Sequence, residues 1–380
     1  MRREVQHELI RRFRSLASAR TTQLAAEPCV LPASEYSCRD QLQTERSVLL
    51  RGGTLVAALS GDIPNPGDAV AAHLDGVPIA VVRDDDGRAR VYRNACPHRG
   101  APVVTDRQQG LRRLTCPFHA WTFGLGGELQ ARPLAAGCFD GADVGCDLSE
   151  LSADERHGFV LARLDGGPVD APDYLGGVVD DLDSFGLASA RHVETRSMVL
   201  PCNWKMVIDT FLEAYHVFSL HKSTIAPLYY SHPMLFDAFG AHCRLIGLRR
   251  TLDDIGEDES TWEFPPHATI HYVVFPNTII VHQLDHFELW RVYPNGDDPS
   301  TSLVHTGVYA HDLSDGAVRR WKKNLDILLE VTTQEDFPVC GEMQRALDSG
   351  ATDRVVFGRN ELALTHFHEQ VRGRLGLAPR

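Results

Sequence analysis

Apolar and polar positions follow a two-residue period in some stretches of the chain and a helical period in others. The runs 77–83 and 89–93 flank Asp84-Asp85-Asp86-Gly87, whose Asp-Gly end is typical of a hairpin turn. Further strands are expected at 157–164, 271–275, 278–282, 286–293 and 302–311. Helical spacing predicts helices over 203–222, 314–331, 334–349 and 360–375.

These patterns divide the chain into three parts. Residues 1–44 begin with an amphipathic helix that is expected to pack on the body of the protein, against its larger domain. Residues 45–165 are predicted to form a small antiparallel β domain, and residues 166–380 a larger domain. The stretch 165–177 is rich in Asp, Gly and Pro and suits a linker. The apolar side of the first helix consists of Leu9, Ile10, Phe13 and Leu16.

Composition excludes several classes of protein. The 380 residues are 43% hydrophobic, which is normal for a globular protein, and the net charge of −13 provides no basic face for nucleic acid. Neither a run of 18 apolar residues nor an apolar signal-peptide core is present, so we expect a cytoplasmic protein without a membrane partner. Nine cysteines form no disulfide framework.

Two of those cysteines have histidines at ligand-like spacing. Cys96-Pro97-His98 and Cys116-Pro117-Phe118-His119 are separated by 17 residues. Thiolates and imidazoles in equal number suit either a structural zinc ion or an iron–sulfur centre. The two loops resemble the Rieske signature, in which two cysteines hold one iron and two histidines the other. That resemblance makes Cys96, His98, Cys116 and His119 the predicted ligands of a [2Fe-2S] cluster.

A second acid and histidine group lies in Asn203–His221. Glu213, His216 and His221 belong to an apolar, aromatic-rich run that reads as helical. Residues five apart on a straight α-helix point roughly 140° away from each other. The two histidines can therefore share a metal only if the helix bends, ends or contains a π-type turn, which we predict near 217–220. Otherwise they occupy different faces of a core helix.

The order of these features resembles the α (oxygenase) subunit of the Rieske non-heme iron oxygenases, the aromatic-ring-hydroxylating dioxygenase family. The resemblance rests on a Rieske domain followed by Asn203-Trp204-Lys205, by Glu213-Ala214-Tyr215-His216, and by His221. It implies an α+β fold, in which a small antiparallel β Rieske domain precedes a helix-grip (START-like) catalytic domain with a curved antiparallel sheet. It also implies a mononuclear Fe(II) held by His216, His221 and a later carboxylate. We assign Asp336 as that carboxylate, with Glu335 and Glu342 as alternatives.

The resemblance further gives Glu213 a catalytic role. In the family, the acid at this position bridges a histidine of the iron site and a cluster histidine of a neighbouring subunit, here expected to be His119. Such a bridge requires a homotrimer. The better-known dihydroxylating members have Asp at this position, and they often have Glu-Asn where this chain has Asp209-Thr210. Some members that act on quaternary ammonium compounds also carry Glu.

The implied function is that of a terminal oxygenase. It would use O2 to hydroxylate, dihydroxylate or demethylate a small aromatic or quaternary ammonium substrate. The chain has no Gly-rich dinucleotide fingerprint, so a separate NAD(P)H-dependent reductase is expected, with or without a ferredoxin. The alternative is a Rieske electron-transfer protein whose second domain binds a ligand without catalytic iron. Residues suited either to the substrate pocket or to the core are Phe211, Leu228, Tyr229, Phe275, Val281, Phe287 and Trp290.

Overall fold

The computed structural model describes residues 1–139 and 145–379. The chain divides into two compact units, one formed by Leu50–Tyr174 and the other by Met1–Leu49 together with Leu175–Arg380. The limits of 45 and 165 that the sequence suggested remain a prediction, and part of that predicted domain, residues 140–144, lies outside the described residues. None of the described helices is long and apolar enough to cross a membrane.

The smaller unit consists of antiparallel strands arranged, within the described residues, in three sheets of three strands each. The predicted hairpin is confirmed, because Val77–Arg83 pairs with Ala89–Arg93 and Gly87 has the φ of 79° that its turn requires. The strands, sheet by sheet, are Leu55–Leu59, Phe159–Arg163 and Ser152–Arg156; Ala69–Leu74, Val77–Arg83 and Ala89–Arg93; and Leu114–Thr115, Thr122–Phe123 and Leu129–Ala131. Short helical turns lie at Ser60–Asp62, Ala135–Cys138 and Ala171–Leu175.

The larger unit is organised around one antiparallel sheet of seven strands among the described residues. From edge to edge its strands are Arg191–Leu200, Ser302–Ala310, His286–Pro294, Thr278–Gln283, Ala268–Val274, His242–Leu248 and Leu235–Phe239. A separate pair joins Cys29–Pro32 to Arg354–Phe357. The predicted α+β architecture, with one small β domain and one domain of antiparallel sheet and helices, is therefore confirmed.

Helices surround this sheet in the larger unit. The α-helices are Arg3–Ser18, Ser34–Ser37, Arg39–Glu45, Val179–Ser184, Trp204–Asp209, Val217–Leu220, Asp315–Val331, Phe337–Asp348 and Leu362–Arg374. Wider π-type turns occur at Arg46–Arg51 and Thr332–Asp336, and 3-10 turns at Gly176–Val178, Leu187–Ser189, Ala226–Leu228, Arg250–Asp254, Glu259–Thr261 and Pro265–His267. The first helix buries Leu9, Ile10 and Phe13. It contacts the edge strand through Arg12, whose Nη1 lies 2.8 Å from Oδ1 of Asp237.

Sequence pattern located four of the seven strands of this sheet and did not locate Leu235–Phe239, His242–Leu248 or Arg191–Leu200. Arg191–Leu200 pairs along its length with Ser302–Ala310, yet its residues Arg191, Glu194 and Arg196 interrupt the apolar alternation. Charged side chains are common on edge strands because they discourage pairing with other chains. The charged residues that suit an edge strand therefore weaken the two-residue apolar pattern by which this strand could have been predicted.

A buried ion pair anchors the helix that leads to the second candidate site. Nζ of Lys205 lies 2.6 Å from Oε1 of Glu45, and Nε1 of Trp204 donates to Oε2 of the same carboxylate at 2.8 Å. Lys205 is fully buried and Glu45 is 1% exposed. The Asn203 side chain caps the helix by accepting from the Lys205 amide at 3.0 Å. Each residue of the Asn-Trp-Lys sequence thus fixes the helix start.

Replacement of Glu45 should destabilise the larger unit. Glu45→Ala leaves a buried ammonium group without its counter-charge, a change that costs about 3–5 kcal/mol in comparable buried pairs. We expect a clear fall in the melting temperature of that unit, measured by calorimetry. Glu342→Ala is the control, since Glu342 is largely exposed and forms a surface pair with Arg345. Equal melting temperatures for the two variants would contradict a structural role for the Glu45 pair.

Candidate metal centres

The two Cys-His loops of the smaller unit are closed by the same pair of backbone hydrogen bonds. In the first loop the Cys96 amide donates to the Ala101 carbonyl at 2.8 Å and the Gly100 amide to the Cys96 carbonyl at 2.8 Å. In the second the Cys116 amide donates to Trp121 at 2.8 Å and the Ala120 amide to Cys116 at 3.0 Å. The residue four after each cysteine has a positive φ, 79° at Gly100 and 56° at Ala120. The loops therefore present their side chains in matching ways.

The thiols of these loops face inwards and the imidazoles face outwards. Cys96 and Cys116 are each 2% exposed and belong to an apolar core with Trp121 and Phe123. Burial raises the pKa of the Cys96 thiol, and the neighbouring Cys116 adds to this. The rings of His98 and His119 lie 4.6 Å apart between centroids, and His98 stacks on Trp121 at 4.8 Å. Partial desolvation and the nearby His119 lower the pKa of His98.

Paired sulfurs and paired nitrogens fit a two-iron cluster better than a single zinc ion. Four ligands of a tetrahedral zinc ion would lie about 3.3–3.8 Å from one another. Among the described residues, the four loop residues are not a group that could hold one metal ion together. A centre with one iron at the sulfurs and another at the imidazoles agrees with this spacing.

The segment that carries Glu213, His216 and His221 is not one helix. The helix Trp204–Asp209 ends before Glu213, and a single helical turn, Val217–Leu220, follows an irregular stretch. The predicted helix 203–222 is therefore interrupted at 210–216, and the short turn ends at Leu220, within the stretch 217–220 where a bend or an end was expected. His216 occupies the position directly before the short turn and His221 the position directly after it. This arrangement lets side chains five residues apart converge.

His216, His221 and Asp336 meet at one buried centre. Their ligand atoms all lie within 4.8 Å of one another. Oδ1 of Asp336 is 3.1 Å from Nε2 of His221 and 3.5 Å from Nε2 of His216. His221 is 2% exposed and Asp336 5% exposed. Both imidazoles thus turn Nε2 towards the same carboxylate oxygen.

The opposite nitrogen of each imidazole contacts a second carboxylate. Nδ1 of His216 contacts Oε1 of Glu213, whose other oxygen accepts from the His216 amide at 3.1 Å. Nδ1 of His221 lies 2.5 Å from Oε2 of Glu335, which also accepts from the Thr224 hydroxyl at 2.9 Å. Burial lowers the pKa of His221, but Asp336 and Glu335 more than offset this and raise it overall. The His221 contact lowers the pKa of Glu335.

The three acids considered as the third ligand, beside His216 and His221, occupy different positions in the structure. Asp336 reaches the centre, Glu335 contacts the outer nitrogen of His221, and Glu342 is exposed beside Arg345. The π-type turn Thr332–Asp336 lies within the run of helix between Asp315 and Asp348. Pro338 lacks the amide that would continue the α-helical pattern there. Two predicted helices, 314–331 and 334–349, are therefore continuous.

A cavity of about 360 Å³ opens beside this centre. One part of its wall carries His216 and four acids, and the rest is largely apolar, from Val339, Met343, Leu347, Val355, Val356 and Phe357. The acids are Asp209, Glu213, Asp336 and Glu361. Burial raises the pKa of Glu361, and the charges of Glu213 and Asp209 add to the shift. These four acids outnumber Arg354, which also lines the cavity, so the polar part of the wall is acidic.

Asp209 is held by contacts that the sequence did not reveal. The Tyr36 hydroxyl donates to Oδ2 of Asp209 at 2.7 Å, and Nε2 of His368 lies 2.9 Å from Oδ1. Tyr36 and His368 are buried, and burial together with Asp209 raises the pKa of Tyr36 well above its usual value. These partners lie 173 and 159 residues away along the chain, so no local pattern could have linked them.

The seven residues considered for the substrate pocket do not all lie in one place. Phe211 packs on Trp290 with 4.9 Å between ring centroids, and Val281 lies on the same sheet face as Trp290. Phe287 belongs to the opposite face and Leu228 is 53% exposed. Tyr229 shares a hydrogen bond with Thr269, and Phe275 packs on Phe367. Three of the seven therefore lie together near the second centre.

Comparison with known families agrees with both centres. The family model described as ring hydroxylating alpha subunit (catalytic domain) matches residues 187–377, and the Rieske [2Fe-2S] domain model matches residues 53–141. This chain belongs to the ring-hydroxylating α-subunit family. The predicted family is thereby confirmed, together with its two cofactor classes, a [2Fe-2S] cluster and a mononuclear non-heme iron.

Individual members of the ring-hydroxylating α-subunit family resemble the chain at modest identity. The oxygenase subunit of carnitine monooxygenase from Escherichia coli (strain K12) is 29% identical over 203 residues, which cover 51% of this chain and 53% of that protein. The large subunit of anthranilate 1,2-dioxygenase from Burkholderia cepacia is 25% identical over 369 residues, or 87% of each chain. The chain spans about half the length of the first of these relatives.

A solved structure supports the fold assignment. A quaternary ammonium Rieske monooxygenase, described as giving insight into carnitine oxidation and inter-subunit electron transfer, superposes with a TM-score of 0.76 at 21% identity. The match covers 93% of this chain and 96% of that one. At this identity the likeness establishes the shared fold.

Proposed function

We propose that this chain is the terminal oxygenase component of a multicomponent Rieske oxygenase, which uses O2 and reductase-derived electrons to hydroxylate or demethylate a small aromatic or quaternary ammonium substrate. The observation that carries the proposal is the convergence of His216, His221 and Asp336 at one buried centre. Two histidines and one carboxylate are the ligands of non-heme iron oxygenases, and they leave positions open for other molecules.

The proposal assigns the metal ligands residue by residue. Cys96, His98, Cys116 and His119 hold the [2Fe-2S] cluster, and His216, His221 and Asp336 hold the mononuclear iron. When bound, the iron supplies activation of dioxygen and the cluster supplies single electrons. The outward position of His98 and His119 supports this assignment, because electrons must reach the cluster through the surface.

Carboxylates that contact the Nδ1 atoms of the two histidines orient the rings for metal binding. Glu213 and Glu335 each accept the proton on an Nδ1 atom, which leaves both Nε2 lone pairs directed at the centre. The burial of His221 and Asp336 keeps water away from one side of the group. The three carboxylates around the two imidazoles supply negative charge that suits a divalent cation.

We also propose that Glu213 carries electrons between subunits of a homotrimer, bridging His216 to His119 of a second copy. Two surfaces support this bridge, one on the cluster loops of the smaller unit and one at the cavity of the larger unit. The cluster loops expose Phe118, which is 57% exposed, with Arg99 beside its ring at 5.3 Å. The cavity at Glu213 is acidic and has exposed apolar residues such as Val356 at its rim. A basic, aromatic loop tip and an acidic, apolar groove are complementary.

The electrons come, in this proposal, from a cytoplasmic NAD(P)H-dependent reductase, with or without a ferredoxin. An electron-transfer protein without catalytic iron is the alternative function. It would leave the convergence of His216, His221 and Asp336 without a role, and buried polar groups that approach one another in this way need a partner such as a metal. We therefore favour the oxygenase.

The decisive experiment removes one proposed iron ligand. His216→Ala should lower the iron content from about three to about two atoms per chain, because the [2Fe-2S] cluster keeps its own ligands. Oxygen uptake with a reductase and a panel of aromatic acids and betaines should stop, while the visible spectrum of the cluster stays unchanged. An unchanged iron content, or normal product formation, would refute the assignment.

Glu335 offers a second test through its contact with His221. Glu335→Gln weakens the support of that ring and should lower the affinity for Fe(II) about 10–100-fold, as for other residues that orient metal-binding histidines. Affinity is measured by titration of iron into protein depleted of the mononuclear metal. Glu342→Gln makes the same chemical change on an exposed side chain and should bind iron normally. Equal affinities would show that Glu335 does not support the site.

Glu213 is tested by the rate at which the cluster loses its electron. With saturating ferrous iron, Glu213→Gln should slow re-oxidation of the pre-reduced cluster by O2 and substrate about 10–100-fold. Glu213→Asp keeps the carboxylate and should retain more of the rate. Reduction of the cluster by the reductase should be the same in all forms. Wild-type re-oxidation in Glu213→Gln would exclude the bridging role.

A further inference from the structure

The two histidines of the Cys-His loops differ in their surroundings. His119 is exposed and contacts the exposed ring of Phe118, with 4.0 Å between ring centroids. His98 is half-buried, and two aromatic rings cover it. Trp121 lies parallel to the imidazole at 4.8 Å and 5°, and Phe139 meets it edge-on at 6.0 Å. One histidine is therefore open to solvent and the other has an aromatic cover.

The aromatic cover of His98 is part of the packed interior of the smaller unit. Trp121 is 4% exposed and belongs to the apolar core, against which Phe139 also packs. The two rings contact each other at 5.6 Å between centroids with 80° between their planes. They therefore keep water from one side of the imidazole. The apolar shell around a metal centre controls its access to solvent and, through this, its reduction potential.

An arginine lies against both rings of this cover. Cζ of Arg132 is 5.1 Å from the centroid of the Phe139 ring and 5.9 Å from that of Trp121. Aromatic faces attract a guanidinium group within about 6 Å. Nη1 of Arg132 also lies 3.9 Å from the sulfur of Cys146, and the side chain is half-buried. A positive charge is therefore held one ring away from His98.

A cation at this position favours the reduced state of a cluster held by the two loops. Reduction adds one negative charge to the centre, and a nearby positive charge stabilises it. The guanidinium group remains protonated throughout the ordinary pH range, so this charge is permanent. Aromatic rings separate Arg132 from His98, and they weaken the interaction less than water would. Net charge and solvent exposure are among the properties that set the potential of iron–sulfur clusters.

We propose that Arg132 is a positioning residue that raises the reduction potential of the [2Fe-2S] cluster, because it holds Trp121 and Phe139 over His98 and places a positive charge behind them. This inference rests on the cluster ligands of the proposed function. The electron comes from the reductase, the cluster is reduced by one electron, and no bond of Arg132 forms or breaks. A higher potential lets the reductase reduce a larger fraction of the clusters, and the cover leaves His119 as the accessible histidine.

The test measures the midpoint potential of the cluster in the full holoprotein, by a redox titration followed in the visible spectrum without O2 or substrate. Arg132→Gln removes the charge and should lower the equilibrium constant for reduction about three- to tenfold, which is about 30–60 mV for a one-electron couple. Arg132→Lys keeps the charge and should retain most of the potential. The difference between wild type and Arg132→Gln should shrink in about 1 M salt, because salt screens a half-exposed charge.

Arg88→Gln is the matched control, because it makes the same chemical change at an exposed arginine beside the hairpin turn of the same unit. Its midpoint potential should equal that of wild type. An unchanged potential in Arg132→Gln would overturn the inference. An equal fall in Arg132→Gln and Arg132→Lys would also overturn it, because the role of Arg132 would then lie in the shape of the aromatic cover and not in its charge.

The redox titration separates this inference from the proposed function, because it needs neither the mononuclear iron nor turnover. A potential that responds to Arg132 as expected, in a protein that shows no oxygen uptake with any substrate, would support the role of Arg132 and contradict the oxygenase. Normal oxygen uptake in a protein whose cluster potential is the same in wild type and Arg132→Gln would support the oxygenase and contradict the role of Arg132.

Discussion

A buried carboxylate oxygen that faces two imidazole nitrogens is the constraint on which the larger unit depends. Asp336 and the two Nε2 atoms come from two distant parts of the chain, and burial of such groups is unfavourable unless each is paired. Contacts around the site restrict the conformations of these side chains. Glu213 and Glu335 fix the ring orientations, and the Lys205–Glu45 pair fixes the helix that precedes the histidines. The orientation of the site is defined because its supports are themselves hydrogen-bonded.

The two candidate metal centres both contain two histidines, but the histidines differ in their exposure to solvent. In the smaller unit the buried thiols have an apolar core around them, while the imidazoles reach the surface. In the larger unit His221 is buried and carboxylates surround the group. In the proposed function, the first centre must exchange electrons with partners, whereas the second, which would handle O2, benefits from limited access to water. The placement of the histidines reflects that difference.

Local signals made much of this architecture predictable. Asp86-Gly87 located a hairpin, and the Cys-His spacing located the two loops, because turn chemistry and ligand spacing are properties of a few adjacent residues. The convergence of His216 and His221 was expected, and the short helical turn between them does end at Leu220, but the irregular stretch 210–216 before it has no breaker residue to announce it. The contacts of Asp209 with Tyr36 and of His221 with Glu335 depend on tertiary packing over more than a hundred residues. No periodic pattern encodes such pairs.

The π-type turn at Thr332–Asp336 has a consequence for the phase of the long helical run. Before it, Trp321 and Leu325 pack on the sheet at Val308 and Ala310. After it, Gln344 accepts a hydrogen bond from the Asn203 amide. Each α-helical residue advances the side-chain direction by about 100°, and the wider turn shifts one half relative to the other by a similar angle. In a regular α-helix of the same sequence, either Trp321 and Leu325 could pack on the sheet or Gln344 could reach Asn203. The π-type turn allows both contacts at once.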